Sequence, residues 1–515
     1  MHAVGIVLLL VVLATAVATF ARHWSVPAPS LLVLAGLGTA LIPGVPALHV
    51  PPEAIATVVL PPLLYASAEE LSLRDLRTVW RPVTVLALGL VFASAAVVGF
   101  VAVAVTGLPP AMAFVLGAVL ASTDPVAVTA LGRRLALPGR VHVLVQAESL
   151  FNDATSLVLF RVAVGAAAAA GGSVGPVSAG GQFLLLGGGG SLVGAAVAGL
   201  VRLIRRRTAD PVLETVIALV TPYAAYVLAE SVHTSGITSV VVAGVVLGQS
   251  GHRLSDARIR LQVQAVYAVV VFLLESVVFA IVGLELPALV RDLPAGSGRW
   301  PLQALALAAA LLAVRVVWTL LMSRAVGTGG TRLSWRVAGV VTWAGTRGVM
   351  PLAAALSIPL TTGGGTGPAG RPLVLVLTTA VVVFTLVVQG LTLATVVGRS
   401  GLALEPEHTA REEAGARDAL DRAALDHVEQ LTGLGTLPEP VVDRVRRGLT
   451  ARLDRTADGA DGSALDTAYR ALRQELIGVQ NTELHRLYDQ HLISDTTRRR
   501  LQHDLDREEA ALGGR

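Results

Sequence analysis

Apolar stretches of about twenty residues, separated by short segments rich in Gly, Pro and Arg, recur from Ala3 to Val397. Each is long enough to cross a hydrocarbon layer of roughly 30 Å as an α-helix, with its backbone groups bonded inside the segment. The pattern predicts thirteen spans, at 3–21, 28–46, 52–70, 83–106, 111–131, 142–168, 182–204, 212–231, 234–249, 262–288, 301–323, 337–358 and 372–397. From residue 402 onward the pattern changes. Apolar residues recur there at helical spacing among Asp, Glu and Arg, which predicts a cytosolic helical tail with a break at Gly433–Pro440 and a flexible stretch near Asp458–Ser463. The expected domains are a membrane domain over 1–401 and a helical tail over 402–515 with a regulatory or assembly role.

Composition supports an all-α polytopic membrane protein. Of 515 residues, 53% are hydrophobic and 15% charged, well under the roughly 25% charged of a soluble domain. There is no Cys, so disulfides and thiolate metal sites are excluded, and every basic side chain is Arg. The first stretch has no basic residue before it and no clear cleavage site, and is read as span 1 instead of a signal peptide.

Charge fixes the expected orientation. Residues 1–401 hold 24 Arg and 14 acids, a balance of +10, whereas 402–515 hold 16 Arg and 22 acids, a balance of −6. The basic excess is topogenic and no nucleic-acid patch is implied. Alternate loops carry 18 Arg and the intervening ones 3, which places the N-terminus outside and the C-terminus in the cytoplasm of a bacterial cell membrane, and requires an odd number of spans.

Spans 5 and 12 each contain a Pro, at Pro125 and Pro351, which cannot donate to the carbonyl four residues earlier and should break the helix near mid-membrane. They lie seven spans apart, which fits two six-span repeats, 1–6 and 8–13, joined by span 7. The repeat is not visible in residue identity, and its inverted sense is an inference. The glycine run Gly187–Gly190 has neither the Lys-Ser/Thr nor the preceding strand of a phosphate loop and is read as close helix packing.

Carboxylates within a bilayer core are costly, so those that persist are functional candidates. Asp124 lies in span 5, and Glu148 and Asp153 in span 6. On a helix Ser149 and Asp153 share a face, with Glu148 and Asn152 on the neighbouring stripe. A break at Thr123-Asp124-Pro125 frees carbonyl oxygen beside a Thr hydroxyl. Thr123, Asp124, Ser149 and Asp153 thus offer the oxygen-only ligands that a hard cation such as sodium takes. A single buried carboxylate can hold either a proton or a cation, and obligatory exchange follows if the site faces the two sides alternately and only when loaded. Asp124 alone could be a helix N-cap, but inside an apolar span and beside Asp153 it is read as part of the site. Glu148 is expected to pair with Arg347 and brace the two broken spans. Arg161 is placed near the outer end of span 6 as a snorkelling side chain, and Arg315 has no assigned role. His142, His233 and His252 lie near loop ends without metal-ligand spacing, and pH sensing is a minor option for them.

The segments ASTDPVAVTAL, AESLFNDATSLVLF, PYAAYVLAESVHTSGITSVVVAGVVLG, LLESVVFAIVGLELP and WAGTRGVMPLAAALSIPL, in that order, resemble the signature blocks of the cation:proton antiporter family, which includes NhaP-type bacterial sodium/proton antiporters. The resemblance covers about residues 1–400. It implies thirteen helices with crossed broken helices 5 and 12, a homodimer and elevator-like alternating access. It also implies Asp153 as the carrier of ion and proton, with Asp124, Thr123 and Ser149 near the ion, and Asn152 and the Glu148–Arg347 pair supporting them. The family's acid in helix 10 matches Glu275, for which hydrogen bonding and transport are both open. Many members carry Glu where this chain has Ala66, which leaves ion selectivity open; Glu69 and Glu70 are expected at the cytoplasmic mouth near Arg74.

No cofactor and no enzymatic chemistry are expected. A potassium/proton antiporter is the nearest rival. Two intramembrane aspartates also admit an aspartyl protease, but Asp153 follows Asn and not a Gly-x-Gly turn. A channel lacks its filter of carbonyl-lined loops. Because Asn152 is neutral where electrogenic relatives carry a second Asp, electroneutral one-for-one exchange is expected, serving pH and sodium homeostasis.

Overall fold

The computed structural model describes residues 11–21, 27–42, 55–71, 73–124, 139–168, 176–208, 210–249, 257–294, 297–325, 335–358, 370–401, 406–433 and 439–457, with short stretches between 472 and 508. The described residues are helical, with no β-strand among them. The chain forms two compact units, Met1–Leu404 and Glu405–Arg515.

In the first unit α1 (Val11–Ala21) and α2 (Ala28–Ala40) precede a π-helical turn at Ile55–Val59 that runs into α3 (Leu60–Glu69). Next comes α4 (Leu73–Thr84), which carries Pro82 and continues through a second π-helical turn, Val85–Leu90, into α5 (Val91–Thr106). Pro82 lacks the N–H that would bond one turn back, and the backbone widens directly after it. The following helices are α6 (Pro110–Leu120), α7 (Gly139–Ala168), α8 (Pro176–Arg205), α9 (Pro211–Ser231), α10 (Gly236–Gly248), α11 (Ala257–Arg291) and α12 (Trp300–Ala325). Two short helices, α13 (Trp335–Trp343) and α14 (Val349–Leu356), precede α15 (Arg371–Ser400).

Seven of these segments are long and apolar enough to cross a membrane: Leu76–Thr106, Val141–Ala167, Ser178–Arg205, Pro211–Ser231, Ile259–Arg291, Trp300–Met322 and Arg371–Ser400. Four apolar helices, α1, α2, α6 and α10, are shorter. In α15, 72% of the apolar window is enclosed by protein, against 28% in α8, so α15 runs through the centre while α8 turns Leu185 and Leu192 outward as lipid-facing surface. Span 4 begins earlier than the pattern predicts, because Leu73–Thr84 is helical despite its Arg residues.

Helices approach closely where glycine removes the side-chain layer. A β-carbon on Gly36 of α2 would lie 2.1 Å from the carbonyl oxygen of Ala280 on α11, and one on Gly283 would lie 2.0 Å from that of Val33. Within the glycine run of α8, Gly189 meets Thr234 and Gly190 meets the Ser235 carbonyl at the start of α10, so half of the run packs as expected; Gly187 and Gly188 face open space. Asp210 caps α9 by accepting from the amides of Val212 and Leu213 at 2.8 and 2.9 Å, and Ser235 caps α10.

The second unit holds α16 (Pro406–Gly433) and α17 (Glu439–Ala457), which pack on each other. The expected flexible stretch at 458–463 and most of the break at 433–440 lie outside the described residues.

Candidate ion-binding site

Two interrupted helices meet in the first unit. α6 ends at Leu120 and the chain continues as extended backbone through Asp124; α13 ends at Trp343 and the chain is extended until α14 begins at Val349. The extended segments bind each other. The Asp124 amide donates to the Thr346 carbonyl at 2.8 Å, and the Thr346 hydroxyl donates to the Asp124 carbonyl at 2.9 Å. Backbone groups left without helical partners inside an apolar slab are thereby satisfied.

The break in the second helix lies upstream of where its proline suggests. Pro351 is the third residue of α14, where its missing N–H has no intrahelical partner to lose. The unwinding at 344–348 is held instead by Thr346, Arg347 and two glycines. Pro125 lies outside the described residues.

One face of α7 supports the first break. Ser149, Asn152, Asp153 and Ser156 follow helical i, i+3, i+4, i+7 spacing and point at it. Ser156 donates to the Ala118 carbonyl at 2.7 Å, and the Ser149 hydroxyl donates to the Thr123 carbonyl. Asn152 holds Thr123 twice, accepting from its amide at 3.2 Å and donating to its hydroxyl at 2.7 Å. Asp153 accepts from the Ser122 hydroxyl. Thr123, Asp124, Ser149, Asn152 and Asp153 are thus brought together. Ser122 and Thr346 join them without having been singled out in the sequence.

Glu148 is where the sequence reading needs correction. Its carboxylate pairs with Arg315 of α12, at 2.7 Å to Oε1 and 3.0 Å to Oε2, with both side chains buried. Arg315 also donates to the Val341 carbonyl near the end of α13 at 2.9 and 3.1 Å. Arg347 does not form the expected bridge to Glu148: its guanidinium donates to the carbonyls of Leu120, at 2.8 Å, and Gly345, at 2.7 Å, while its amide donates to Thr385. Each arginine therefore sits at the carbonyl end of one interrupted helix, where a cation offsets the partial negative charge. A β-carbon on Gly345 would fall 2.5 Å from Arg315 Nε, so a side chain there would displace the guanidinium.

A cavity of about 600 Å³ reaches this crossing. Asp124, Asp153, Gln146, Glu275, Val349 and Met350 line its inner part. Glu69, Glu70, Arg205, Glu214 and Arg260 line the other end, which carries the Arg-rich loops. Arg205 and Glu214 are 3.2 Å apart there, both buried. Ala66 also lines the cavity, so the wall is a methyl group where many relatives carry a carboxylate. Toward the opposite end of α7, Arg161 is no lone snorkelling group: it pairs with Glu230 of α9 at 2.5 Å, and Glu230 also accepts from the Gly236 amide at 3.0 Å.

Residues 6–399 match the family model described as sodium/hydrogen exchanger, transmembrane. A Mycobacterium tuberculosis protein named as an Na(+)/H(+) exchanger is 35% identical over 98% of this chain and 96% of its own length. The Na(+)/H(+) antiporter ApNhaP of Aphanothece halophytica is 32% identical over 77% of this chain and 74% of its own. A Bacillus subtilis protein named as a sodium, potassium, lithium and rubidium/H(+) antiporter is 29% identical over 70% of this chain and 56% of its own. Among solved structures, the sodium proton antiporter MjNhaP1 of Methanocaldococcus jannaschii has the same fold, with a TM-score of 0.62 at 22% identity, covering 77% of this chain and 99% of that one.

Proposed function

The chain belongs to the sodium/hydrogen exchanger family, and from that premise we propose that it exchanges sodium ions for protons across a bacterial cell membrane by alternating access to Asp153. It is a multi-pass membrane transporter and no enzyme. The observation that carries the proposal is the position of Asp153. It is a carboxylate lining a water-accessible cavity, beside Asp124 and a set of hydroxyl and carbonyl oxygens and no nitrogen or sulfur ligand.

Asp153 takes a proton or a sodium ion, and Asp124 adds a negative charge that draws the cation in. Thr123 and Ser149 complete the oxygen set, and Asn152 holds the unwound segment in register with α7. Glu148 with Arg315, and Arg347 with the Leu120 carbonyl, fix the two breaks. With one titrating carboxylate per site and the neutral Asn152 beside it, the exchange is electroneutral, one proton for one sodium ion. The chain makes thirteen crossings arranged as two inverted repeats, with its N-terminus outside and its C-terminus in the cytoplasm, and works as a homodimer; the Arg asymmetry of the loops and the two interrupted helices support this arrangement.

A second reading is potassium/proton exchange. Two observations favour it: Ala66 in the cavity wall and the mixed cations in the name of the Bacillus subtilis relative. Protein in sealed vesicles, loaded with a pH-sensitive dye and challenged in turn with sodium, lithium and potassium, tests both. Dequenching by sodium at the lowest concentration is expected; a preference for potassium establishes the rival, and no cation response from inserted protein overturns both.

A further inference from the structure

Asp153 accepts one hydrogen bond, at Oδ1, from the Ser122 hydroxyl, and its other oxygen, Oδ2, accepts none from any described residue. Both side chains are buried. The partnership is not a chance approach of two mobile groups. Asn152 clamps the amide and the hydroxyl of the next residue, Thr123, and Ser149 clamps its carbonyl, so the backbone that carries Ser122 is fixed on three sides to the helix that carries Asp153. Ser149, which shares a helical face with Asp153, uses its hydroxyl proton on Thr123 and has none left for the carboxylate.

We propose that Ser122 sets the balance between proton and cation at Asp153, holding Oδ1 in every loaded state so that Oδ2 is the oxygen that exchanges. The reading rests on Asp153 as the exchanging carboxylate. In the proton-loaded state the O–H bond is at Oδ2. When it breaks, the proton passes to water in the cavity, and the electron pair left on Oδ2 takes the cation. Ser122 donates to Oδ1 throughout. A donor to a carboxylate favours its ionised form, which is also the form that holds sodium, so Ser122 tilts the competition toward the cation. The other charges that act on Asp153 are Asp124 on its own unwound segment and Arg347 from the second break, with Glu275 across the cavity on α11; Glu148 is neutralised by Arg315. None of them is altered by removing the Ser122 hydroxyl.

The test compares the full-length protein with Ser122→Ala, Ser122→Thr and Ser122→Cys in vesicles, measuring sodium-driven proton flux as a function of sodium concentration and pH. Ser122→Ala is expected to raise the half-saturating sodium concentration roughly tenfold at fixed pH, the worth of one hydrogen bond to a charged group. It should also move the activity profile about one unit toward alkaline pH and leave the flux at saturating sodium nearly unchanged. Ser122→Thr, which restores the hydroxyl, should return both values to those of the parent. Ser122→Cys, a weak donor of similar size, should lie between them and answers the same question should the alanine variant fail to insert. An unchanged half-saturating concentration and pH profile in variants that exchange, or a loss confined to maximal flux, overturns the proposal. Asp153→Asn is the control: exchange that survives it removes the reading of Asp153 itself, and leaves a shift at Ser122 to be explained otherwise.

Discussion

A β-carbon on Gly348 would lie 1.5 Å from Oδ2 of Asp124. The glycine has an ordinary negative φ of −119°, so the backbone would admit any residue, and it is the aspartate that requires the space. Gly348→Ala is expected to push Asp124 off the crossing and lower exchange at least tenfold, on the order expected for misplacing a binding group by an ångström. Its amount in the membrane should stay near that of the parent. Normal flux from the alanine variant would show that Asp124 can be displaced without consequence.

The two intramembrane ion pairs should differ in weight. Glu148 and Arg315 are both nearly inaccessible, so removing either strands a buried charge, at a cost of about 3–5 kcal/mol. Arg161 and Glu230 are 29% and 33% exposed and should each cost less than about 1 kcal/mol. Thermal unfolding in detergent is expected to separate Arg315→Ala and Glu148→Ala, with clearly lowered midpoints, from Arg161→Ala and Glu230→Ala. The double variant of Glu148 and Arg315 should lose less than the sum of the singles. Equal midpoints across the four single variants would refute this ranking.

Much of the site is legible in the sequence for a specific reason. Glu148, Ser149, Asn152 and Asp153 lie in one apolar helix, where a polar residue stands out and the helical period assigns its face. The partner of Glu148 is not legible in that way. Three arginines, Arg161, Arg315 and Arg347, fall within apolar segments, and only the fold decides which of them comes near. Arg347 was favoured by its place in a recognisable segment, while Arg315 reaches Glu148 across a gap of 167 residues. Ser122 escapes for a different reason: an unwound segment obeys no 3.6-residue period, so nothing in the spacing says that its hydroxyl turns to Asp153. The second break is displaced from Pro351 because a proline in a first helical turn is tolerated.

Charge bookkeeping at the crossing leads to a prediction about voltage. With Asn152 spending its amide on Thr123, it offers nothing that titrates, and one proton moves against one sodium ion. Clamping the membrane potential of vesicles with potassium and valinomycin, at fixed sodium and pH gradients, should leave sodium flux unchanged. A flux that follows the imposed voltage would show that a second proton moves. Asp153→Asn should abolish exchange and Asp124→Asn should reduce it severely.

The chain separates into compact units at Leu404, and every group named at the crossing lies in the first. A protein ending at Leu404 is expected to insert and to exchange sodium for protons at a measurable rate, with any change confined to regulation. Complete loss of flux from the truncated protein, once insertion and thermal stability are shown to be normal, would place part of the transport machinery in the tail.

The paired glycines of α2 and α11 have a mechanical meaning. Two helices separated by interlocked side chains can slide by trading one set of rotamers for another. Gly36 and Gly283 leave no such layer, and each backbone rests on the carbonyl of the other. Helices joined in that way resist shear and act as one plate. Since α11 supplies Glu275 and much of the cavity wall, the plate is the stationary bank of the ion path, and the displacement that turns the site from one side of the membrane to the other falls to the opposite bank, built on α6, α7 and α14.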